Sequence, residues 1–320
     1  MKIIKIISLL GIIFLLSNCQ KEIELINPNE SRKATVRCLL QGDSIFKLEL
    51  YKSNKPLDSD ISFDIIKDAN VEIYDNDGNV ETLTFAGGDK IVNGVSQGFY
   101  SSSSFVDGTK DYKLKITHSD YKELSSELKF PKNTSVSNID LSEEIIEDFG
   151  YVYSVNTIKF NINDNPSSKD FYNIFLNFTY YNVLYIGTDT ISTGPFNSKA
   201  FLYIKEGQGN TINIAEGESA TLFSDVFFNG ESLLKEYSFE LNGYSENDTI
   251  YFENSEIIID EAFLVVETLS ESYFRYLTTV EKQMMTQGDP FSEAVIIKNN
   301  IKNGLGIFGA KTVSRFKLEL

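Results

Sequence analysis

Apolar residues recur at every second position over much of this chain, which is the period of a β-strand with one buried face. The alternation is clearest in residues 33–40, 46–52, 112–118, 156–162 and 171–181. Between such segments lie short clusters of Gly, Asp, Asn and Ser, for example residues 41–44 and 75–79, and these residue types are typical of turns. The pattern predicts a mainly β protein.

The strand signals divide the chain into two regions. In residues 33–130 they are short and closely spaced, with tight turns and no helical period, which predicts an antiparallel β-sandwich. Residues 131–320 form a larger β-rich region with longer loops, and a continuous apolar stretch at residues 262–266 indicates a strand buried on both faces. Because 320 residues exceed the size at which one core usually stops growing, we expect two domains.

One segment departs from the strand pattern and predicts an amphipathic helix at about residues 271–286. Ser270 suits the N-cap position, and Glu271 stands in the first turn, where the helix dipole favours a negative charge. The apolar positions on one face of this helix are Tyr273, Leu277, Val280 and Met284. We expect this face to pack on the second β-rich domain.

The first residues form a targeting segment. Lys2 and Lys5 precede an apolar run, residues 6–16, that is too short to span a membrane. The following residues, Leu-Ser-Asn-Cys at 16–19, resemble the bacterial lipobox, in which the cysteine is lipidated and becomes the mature N-terminus. We therefore expect a lipoprotein signal peptide over residues 1–18, lipid attachment at Cys19 and a polar tether over residues 19–32.

Four residues after the predicted anchor bear on localisation. Gln20, Lys21, Glu22 and Glu24 resemble the short acidic signal that sends Bacteroidetes lipoproteins to the outer face of the outer membrane. A solvated charged tether is the alternative interpretation. On the first interpretation the protein is anchored in the outer membrane and faces the cell exterior.

Composition excludes several classes of function. The 46 acidic residues against 29 basic ones give a formal charge of −17, which leaves no basic face for phosphates, so we expect no nucleic-acid partner. The presence of a single histidine excludes His-rich zinc sites, and this residue, His118, is expected at the surface or at a sheet edge rather than in catalysis. The chain has no Gly-x-Ser-x-Gly or His-Glu-x-x-His motif. We expect no enzyme activity, no cofactor and no metal, although the sequence alone leaves open a glycosidase-type pair of carboxylates.

Two further motifs have a structural interpretation. Cys38 lies in an alternating segment and is expected to be a buried thiol, with no disulfide in the protein. Residues 75–79 (Asp-Asn-Asp-Gly-Asn) are similar to the start of a calcium loop but lack the glutamate at its twelfth position, where Ala86 stands. A hairpin turn is the favoured interpretation.

Four tyrosines are candidates for ligand binding. Tyr172, Tyr180, Tyr181 and Tyr185 could form a stacking platform for a sugar or another flat ligand. In the alternative interpretation Tyr172 and Tyr180 face the core, because they share one face of a strand with three apolar residues.

Three blocks of the second region carry a family resemblance. They are Asp164-Asn165-Pro166 followed by Phe171-Tyr172; residues 223–230; and residues 269–277, 289–293 and 300–310. Together with the lipobox they resemble the Bacteroidetes lipoprotein family named domain of unknown function 4249. Residues 69–74, 77–78, 98–100 and 112–116 are also similar, in their order, to the transthyretin-like or carboxypeptidase-regulatory β-sandwich.

The family resemblance implies a biological setting but carries over no catalytic residue. It implies an outer-membrane lipoprotein associated with TonB-dependent transporters. The leading expectation is therefore an accessory binding component beside a TonB-dependent outer-membrane receptor in nutrient uptake, with the ligand unknown. The alternative is a surface adhesin or scaffold lipoprotein without a small-molecule ligand.

Overall fold

Strands predominate in the part of the chain that the structure describes. The computed structural model describes residues 31–54, 64–87, 91–92, 95–96, 98–148, 151–186, 189–200, 202–204, 221–239, 255–287, 289, 292–293 and 295–319. Strands account for 64% of the structure and helix for 7%, which confirms the predicted mainly β class. Cys19, the predicted export signal at residues 20–24 and the signal peptide lie outside the described residues.

The helices and strands have the following bounds. The strands of the first region are β1 (Ala34–Gln41), β2 (Ile45–Lys52), β3 (Asn70–Asp75), β4 (Val80–Ala86), β5 (Ile91–Val92), β6 (Val95–Ser96), β7 (Phe99–Phe105), β8 (Tyr112–His118) and β9 (Tyr121–Leu128). Those of the second are β10 (Ser135–Asp148), β11 (Tyr151–Asn163), β12 (Phe171–Ile186), β13 (Asp189–Ala200), β14 (Leu202–Ile204), β15 (Leu222–Ser224), β16 (Ser232–Phe239), β17 (Ser255–Leu269) and β18 (Leu305–Leu318). The helix α1 spans Glu271–Thr286.

One long sheet runs through both regions. Its strand order is β13-β12-β17-β18-β1-β2-β7-β4-β3-β8-β9, with β15 paired to β12 beside this path. A second sheet has the order β10-β11-β16-β14, and β5 and β6 form a two-stranded ribbon. Within the part of the chain that the structure describes, the strand pairs are antiparallel except for β1 with β18, which is parallel.

Two hydrophobic cores lie along the long sheet. The first is formed by alternate residues of the N-terminal strands; in β1 these are Ala34, Val36, Cys38 and Leu40. The second lies between β11 and β16 of the smaller sheet and β12, β17 and β18 of the long sheet. The alternating apolar residues of the sequence are therefore the residues that face the two cores.

β18 belongs to both cores, which the sequence pattern did not predict. Its first half pairs with β1, from Thr35 opposite Leu305 onward, and its second half pairs with β17 as far as Leu318 opposite Ala262. Phe308 and Ala310 consequently lie in the first core. The domain boundary at residue 130 stays a prediction, but a chain cut there would lose part of the core of its first domain.

The helix α1 has the predicted bounds and packs against the long sheet. Phe274 is buried, and Tyr273 and Leu277 pack beside it. The predicted apolar face was wrong at its C-terminal end, because Met284 is 68% exposed. Among the described residues no helix is long and apolar enough to cross a membrane.

Ser270 occupies the N-cap position of α1 with an extended backbone, but its side chain does not cap the helix. Its hydroxyl instead accepts a hydrogen bond from the backbone N–H of Ala310 at 3.0 Å. Ser270 therefore fixes the start of the helix to β18 rather than satisfying a helix amide.

Candidate functional site

The four predicted tyrosines do not lie together on one surface. Tyr172 and Tyr180 are buried in the second core, as the alternative interpretation of the sequence expected. Tyr172 contacts the rings of Phe223 and Phe228, so its faces are covered by protein. Tyr181 is partly buried and Tyr185 is exposed near the far end of β12. A role of Tyr181 or Tyr185 in ligand binding stays a prediction.

His118 has both ring nitrogens occupied. Its Nε2 lies 2.9 Å from Asp68 Oδ1, and its Nδ1 accepts a hydrogen bond from the backbone N–H of Asp120. The ring also contacts Tyr121. These contacts fix the end of β8 and leave no ring nitrogen available to act as a general base.

Cys38 is a free, buried thiol, as predicted. Burial raises its pKa well above the ordinary value for a cysteine. The thiol therefore stays neutral and behaves as a small apolar side chain of the first core.

The Asp75–Asn79 segment is a hairpin turn between β3 and β4, as predicted. The Asp75 carboxylate accepts hydrogen bonds from the Asn79 side chain and from the Lys110 amino group, both at 2.7 Å. Lys110 also lies 2.9 Å from Asp77. The lysine thus supplies the positive charge that a bound cation would supply in a calcium loop.

A different group of carboxylates comes together in the second region. Asp164, Asp170 and Asp225 each place one oxygen within 4.8 Å of the other two. Asp170 and Asp225 are buried, at 6% and 1% exposed, and Asp164 is partly buried. Among the described residues this is the group of acidic, histidine or cysteine side chains that could hold a metal ion. We call it the aspartate cluster.

Strand pairing explains why these three residues meet. Phe171 of β12 pairs with Ser224 of β15, so Asp170 and Asp225 are the next residues on opposing strands. The N–H of Asp225 donates to the carbonyl of Asp170 at 3.0 Å, which continues the ladder by one step. Asp164 follows β11 directly and adds the third carboxylate.

Asp164 connects the two segments around the cluster. Its carboxylate accepts a short hydrogen bond from the Tyr172 hydroxyl. Its other oxygen accepts a hydrogen bond from the backbone N–H of Gly230 at 2.7 Å. Gly230 has φ +79°, and a Cβ at this position would lie 2.7 Å from Pro166, so glycine is required there. The segment before β12 and the turn after β15 therefore pack closely against each other.

The Asp225 carboxylate is the least satisfied group of the cluster. Its Oδ2 accepts a hydrogen bond from the backbone N–H of Asp170 at 2.8 Å. Its Oδ1 is buried and accepts no hydrogen bond from any residue that the structure describes. Buried carboxylates are normally paired or bound to a metal, because an isolated buried charge is costly.

Burial raises the pKa of both Asp170 and Asp225 above the ordinary value for an aspartate. The neighbouring Asp164 adds to both shifts by repulsion. No lysine or arginine within the described ranges forms an ion pair with any of the three carboxylates, and Lys129, Lys132 and Lys169 act on them only at longer range. The cluster therefore concentrates negative charge in a water-poor environment.

A second notable feature is the outer edge of the long sheet. β13 is the last strand there and pairs with β12 on one side. Almost all of its residues are exposed, on both faces. Ile191 is 48% exposed, and Phe196 and the neighbouring Tyr185 are also exposed apolar side chains. β13 is thus an open edge strand within the described part of the protein.

Two residues of the aspartate cluster lie in sequence blocks that are far apart in the chain. Asp164 and Asp225 each lie in a block that resembles the family, but the blocks are about sixty residues apart. The expectation of no metal rested on the scarcity of histidine and on an incomplete calcium loop. Neither argument covers carboxylates that strand pairing brings together.

A family model described as "Domain of unknown function (DUF4249)" matches residues 21–317, which include the aspartate cluster, β13 and α1. No curated protein matches the chain.

Proposed function

The chain belongs to the family of domain of unknown function DUF4249, and from this premise we propose that it is a lipid-anchored protein of the outer-membrane surface. It acts as an accessory binding component beside a TonB-dependent transporter. The anchor is Cys19, and residues 20–24 direct the protein to the cell exterior.

The observation that carries the proposal is the open edge of β13. An edge strand presents unpaired N–H and C=O groups, and proteins usually protect such edges with charges, prolines or covering segments. Pro195 and Lys199 protect the second half of β13. Residues 189–193 include Ile191 and two threonines, and among the described residues they have no such protection beyond Asp189. This segment suits a partner that adds a strand to the sheet.

The tether limits where such a partner can be. Residues 19–32 reach at most about 48 Å from the membrane anchor when fully extended. The tether therefore keeps the protein near the membrane, which favours a partner that is itself a membrane protein. Tethering also raises the local concentration of both proteins, so a small interface is sufficient. An outer-membrane transporter with extracellular loops fits these conditions.

The test is co-purification from mild-detergent extracts, using the full lipidated chain. Ile191→Lys places a charge at the open edge and should strongly reduce recovery of the transporter. Val80→Lys is the matched control, because Val80 is 49% exposed on an internal strand of the first region. Point variants are preferable to deletion of residues 131–320, which would remove Phe308 and Ala310 from the first core.

Two results would contradict the proposal. Equal recovery of the transporter with Ile191→Lys and with the unchanged protein would mean that β13 is not the contact. Failure to recover any transporter, even after crosslinking in intact cells, would remove the accessory role altogether. The adhesin or scaffold function would then be the better account.

A further inference from the structure

The spacing of the aspartate cluster matches the coordination shell of a calcium ion. Calcium binds oxygen ligands at about 2.3–2.6 Å, so two ligands on opposite sides of one ion are about 4.6–5.2 Å apart. The three carboxylate oxygens lie within 4.8 Å of one another. This spacing is compatible with coordination of one ion by all three carboxylates. Three carboxylates on one ion favour calcium over magnesium, because magnesium keeps several waters and is usually bound through only one or two carboxylates.

The unsatisfied Asp225 oxygen indicates that a group is needed at this place. Asp225 is 1% exposed, and its Oδ1 has no hydrogen-bond donor among the described residues. In the Asp75 turn the carboxylate receives both an amide donor and the Lys110 ammonium. The same protein thus neutralises one aspartate turn with a lysine and leaves the aspartate cluster without an equivalent partner in the described structure. A bound cation supplies what is missing.

We propose that Asp164, Asp170 and Asp225 bind one calcium ion, with water completing its six to eight oxygen ligands. The ion connects the segment before β12 to the turn after β15, and through Asp164 it also joins the end of β11. It therefore fixes the long sheet and the β10-β11-β16-β14 sheet to each other at one end of the second core. This inference does not depend on the membrane anchor or on the transporter partner.

The first test is calorimetric titration of the full chain with calcium after treatment with a chelator. We expect binding of one ion with a dissociation constant of about 10⁻⁴–10⁻³ M, the range of extracellular calcium sites. Saturation with calcium should raise the thermal midpoint by several degrees, because the ion binds only the folded state. Magnesium at the same concentration should have a clearly smaller effect.

Two variants separate a specific site from general attraction of cations to an acidic protein. Asp225→Asn keeps the shape of the side chain but removes its charge and should weaken calcium binding at least about tenfold. Asp77→Asn is the matched control, since Asp77 lies in the Lys110-filled turn, and it should bind calcium like the unchanged protein.

Terbium luminescence provides a second measurement that does not depend on the Asp225 variant. Terbium replaces calcium in oxygen sites and emits when a nearby tyrosine is excited. The chain has no tryptophan, and the Tyr172 hydroxyl is hydrogen-bonded to Asp164. We expect terbium emission that excess calcium abolishes and that Tyr172→Phe strongly reduces. Emission unaffected by Tyr172→Phe would place the ion elsewhere and overturn the assignment.

Other results would also overturn the proposal. The absence of both binding heat and a thermal shift up to about 10 mM calcium would exclude a site even of extracellular affinity. Equal calcium responses in Asp225→Asn and in the unchanged protein would show non-specific binding. If Asp225→Asn stabilised the protein and calcium had no effect on either form, the cluster would hold a shared proton instead of a cation.

Discussion

Gly309 of β18 lies directly against Tyr273 of α1. A Cβ atom at position 309 would be 2.8 Å from Tyr273 Cβ and 3.3 Å from its Cγ, which is closer than carbon atoms approach without displacement. Glycine at this position therefore allows the first turn of the helix to rest on the sheet. The burial that results raises the pKa of the Tyr273 hydroxyl to about 12.

The first prediction follows from this contact. Gly309→Ala should lower the free energy of unfolding by about 1–3 kcal/mol, because the added methyl group must push α1 away from β18. Urea unfolding measures the change. Gly42→Ala is the control, since a Cβ there meets its nearest atom at an ordinary 3.4 Å. Equal effects of the two substitutions would show that the helix accommodates the methyl group without cost.

The second prediction concerns which residues of α1 support it. Phe274 is buried and its ring lies 4.7 Å from that of Phe171. Phe274→Ala should cost about 3–5 kcal/mol, the usual range for emptying a buried aromatic position. Leu277→Ala should cost less, because Leu277 is only partly buried, and Met284→Ala should change the thermal midpoint very little. A large loss with Met284→Ala would mean that a partner or another segment covers the end of the helix.

Local patterns in the sequence predicted the parts of the fold that depend on neighbouring residues. The bounds of α1, the hairpin at residues 75–79 and the inward face of β1 all follow from short-range periodicity or turn chemistry. Met284 was assigned wrongly because periodicity shows which residues share a face but not how far the supporting sheet extends. The local pattern indicated that the Ser270 side chain caps α1. It could not show the competing donor, because the N–H of Ala310 is forty residues away in the chain.

Contacts between distant segments could not be predicted. The parallel pairing of β1 with β18 joins Val36 to Gly306, and no local signal specifies that register. The aspartate cluster has the same origin, because Asp170 and Asp225 meet only when β12 pairs with β15. The sequence therefore predicted which segments are strands and which is a helix. It could not predict the candidate site, because that site depends on which strands become neighbours.

The third prediction concerns Asn300, which bridges backbone groups of β18. Its Nδ2 donates to the carbonyl of Phe308 at 2.7 Å, and its Oδ1 accepts from the N–H of Phe308 at 2.9 Å. Asn300→Leu removes both hydrogen bonds and leaves the N–H and the C=O of Phe308 without these partners. It should lower the free energy of unfolding by about 2–4 kcal/mol, since each buried polar group left unpaired costs about 1–3 kcal/mol. Asn299→Ala provides a comparison, because it removes hydrogen bonds of an exposed neighbour. Equal thermal midpoints for the two variants would contradict the bridging role.

The fourth prediction is a loss of stability in acid that depends on Asp75. Hydrogen bonds from the Asn79 side chain and the Lys110 ammonium hold the pKa of Asp75 well below its ordinary value. The stabilisation is therefore present above the unfolded-state pKa of about 3.9 and is lost as the pH falls toward the folded-state pKa. Between about pH 6 and pH 3, Asp75→Asn should lose less stability than the unchanged protein in urea unfolding. Parallel pH curves for the two proteins would show that another carboxylate carries the effect.

The last prediction is that Cys19 is the lipidated N-terminus of the mature protein. The apolar run before it is shorter than the roughly 20 residues needed to cross a membrane. Membrane attachment must therefore come from the cysteine if the run is a cleaved signal. A single acyl chain binds membranes only weakly, whereas the two or three chains of a bacterial lipoprotein hold a protein stably.

Cys19→Ala should accordingly appear in the soluble fraction or as an uncleaved precursor, in membrane fractionation followed by mass spectrometry of the N-terminus. Cys38→Ala is the matched control, since Cys38 is buried in the first core and should not affect attachment. If Cys19→Ala remained in the outer membrane with the mature mass, the anchor would have to lie elsewhere in the chain.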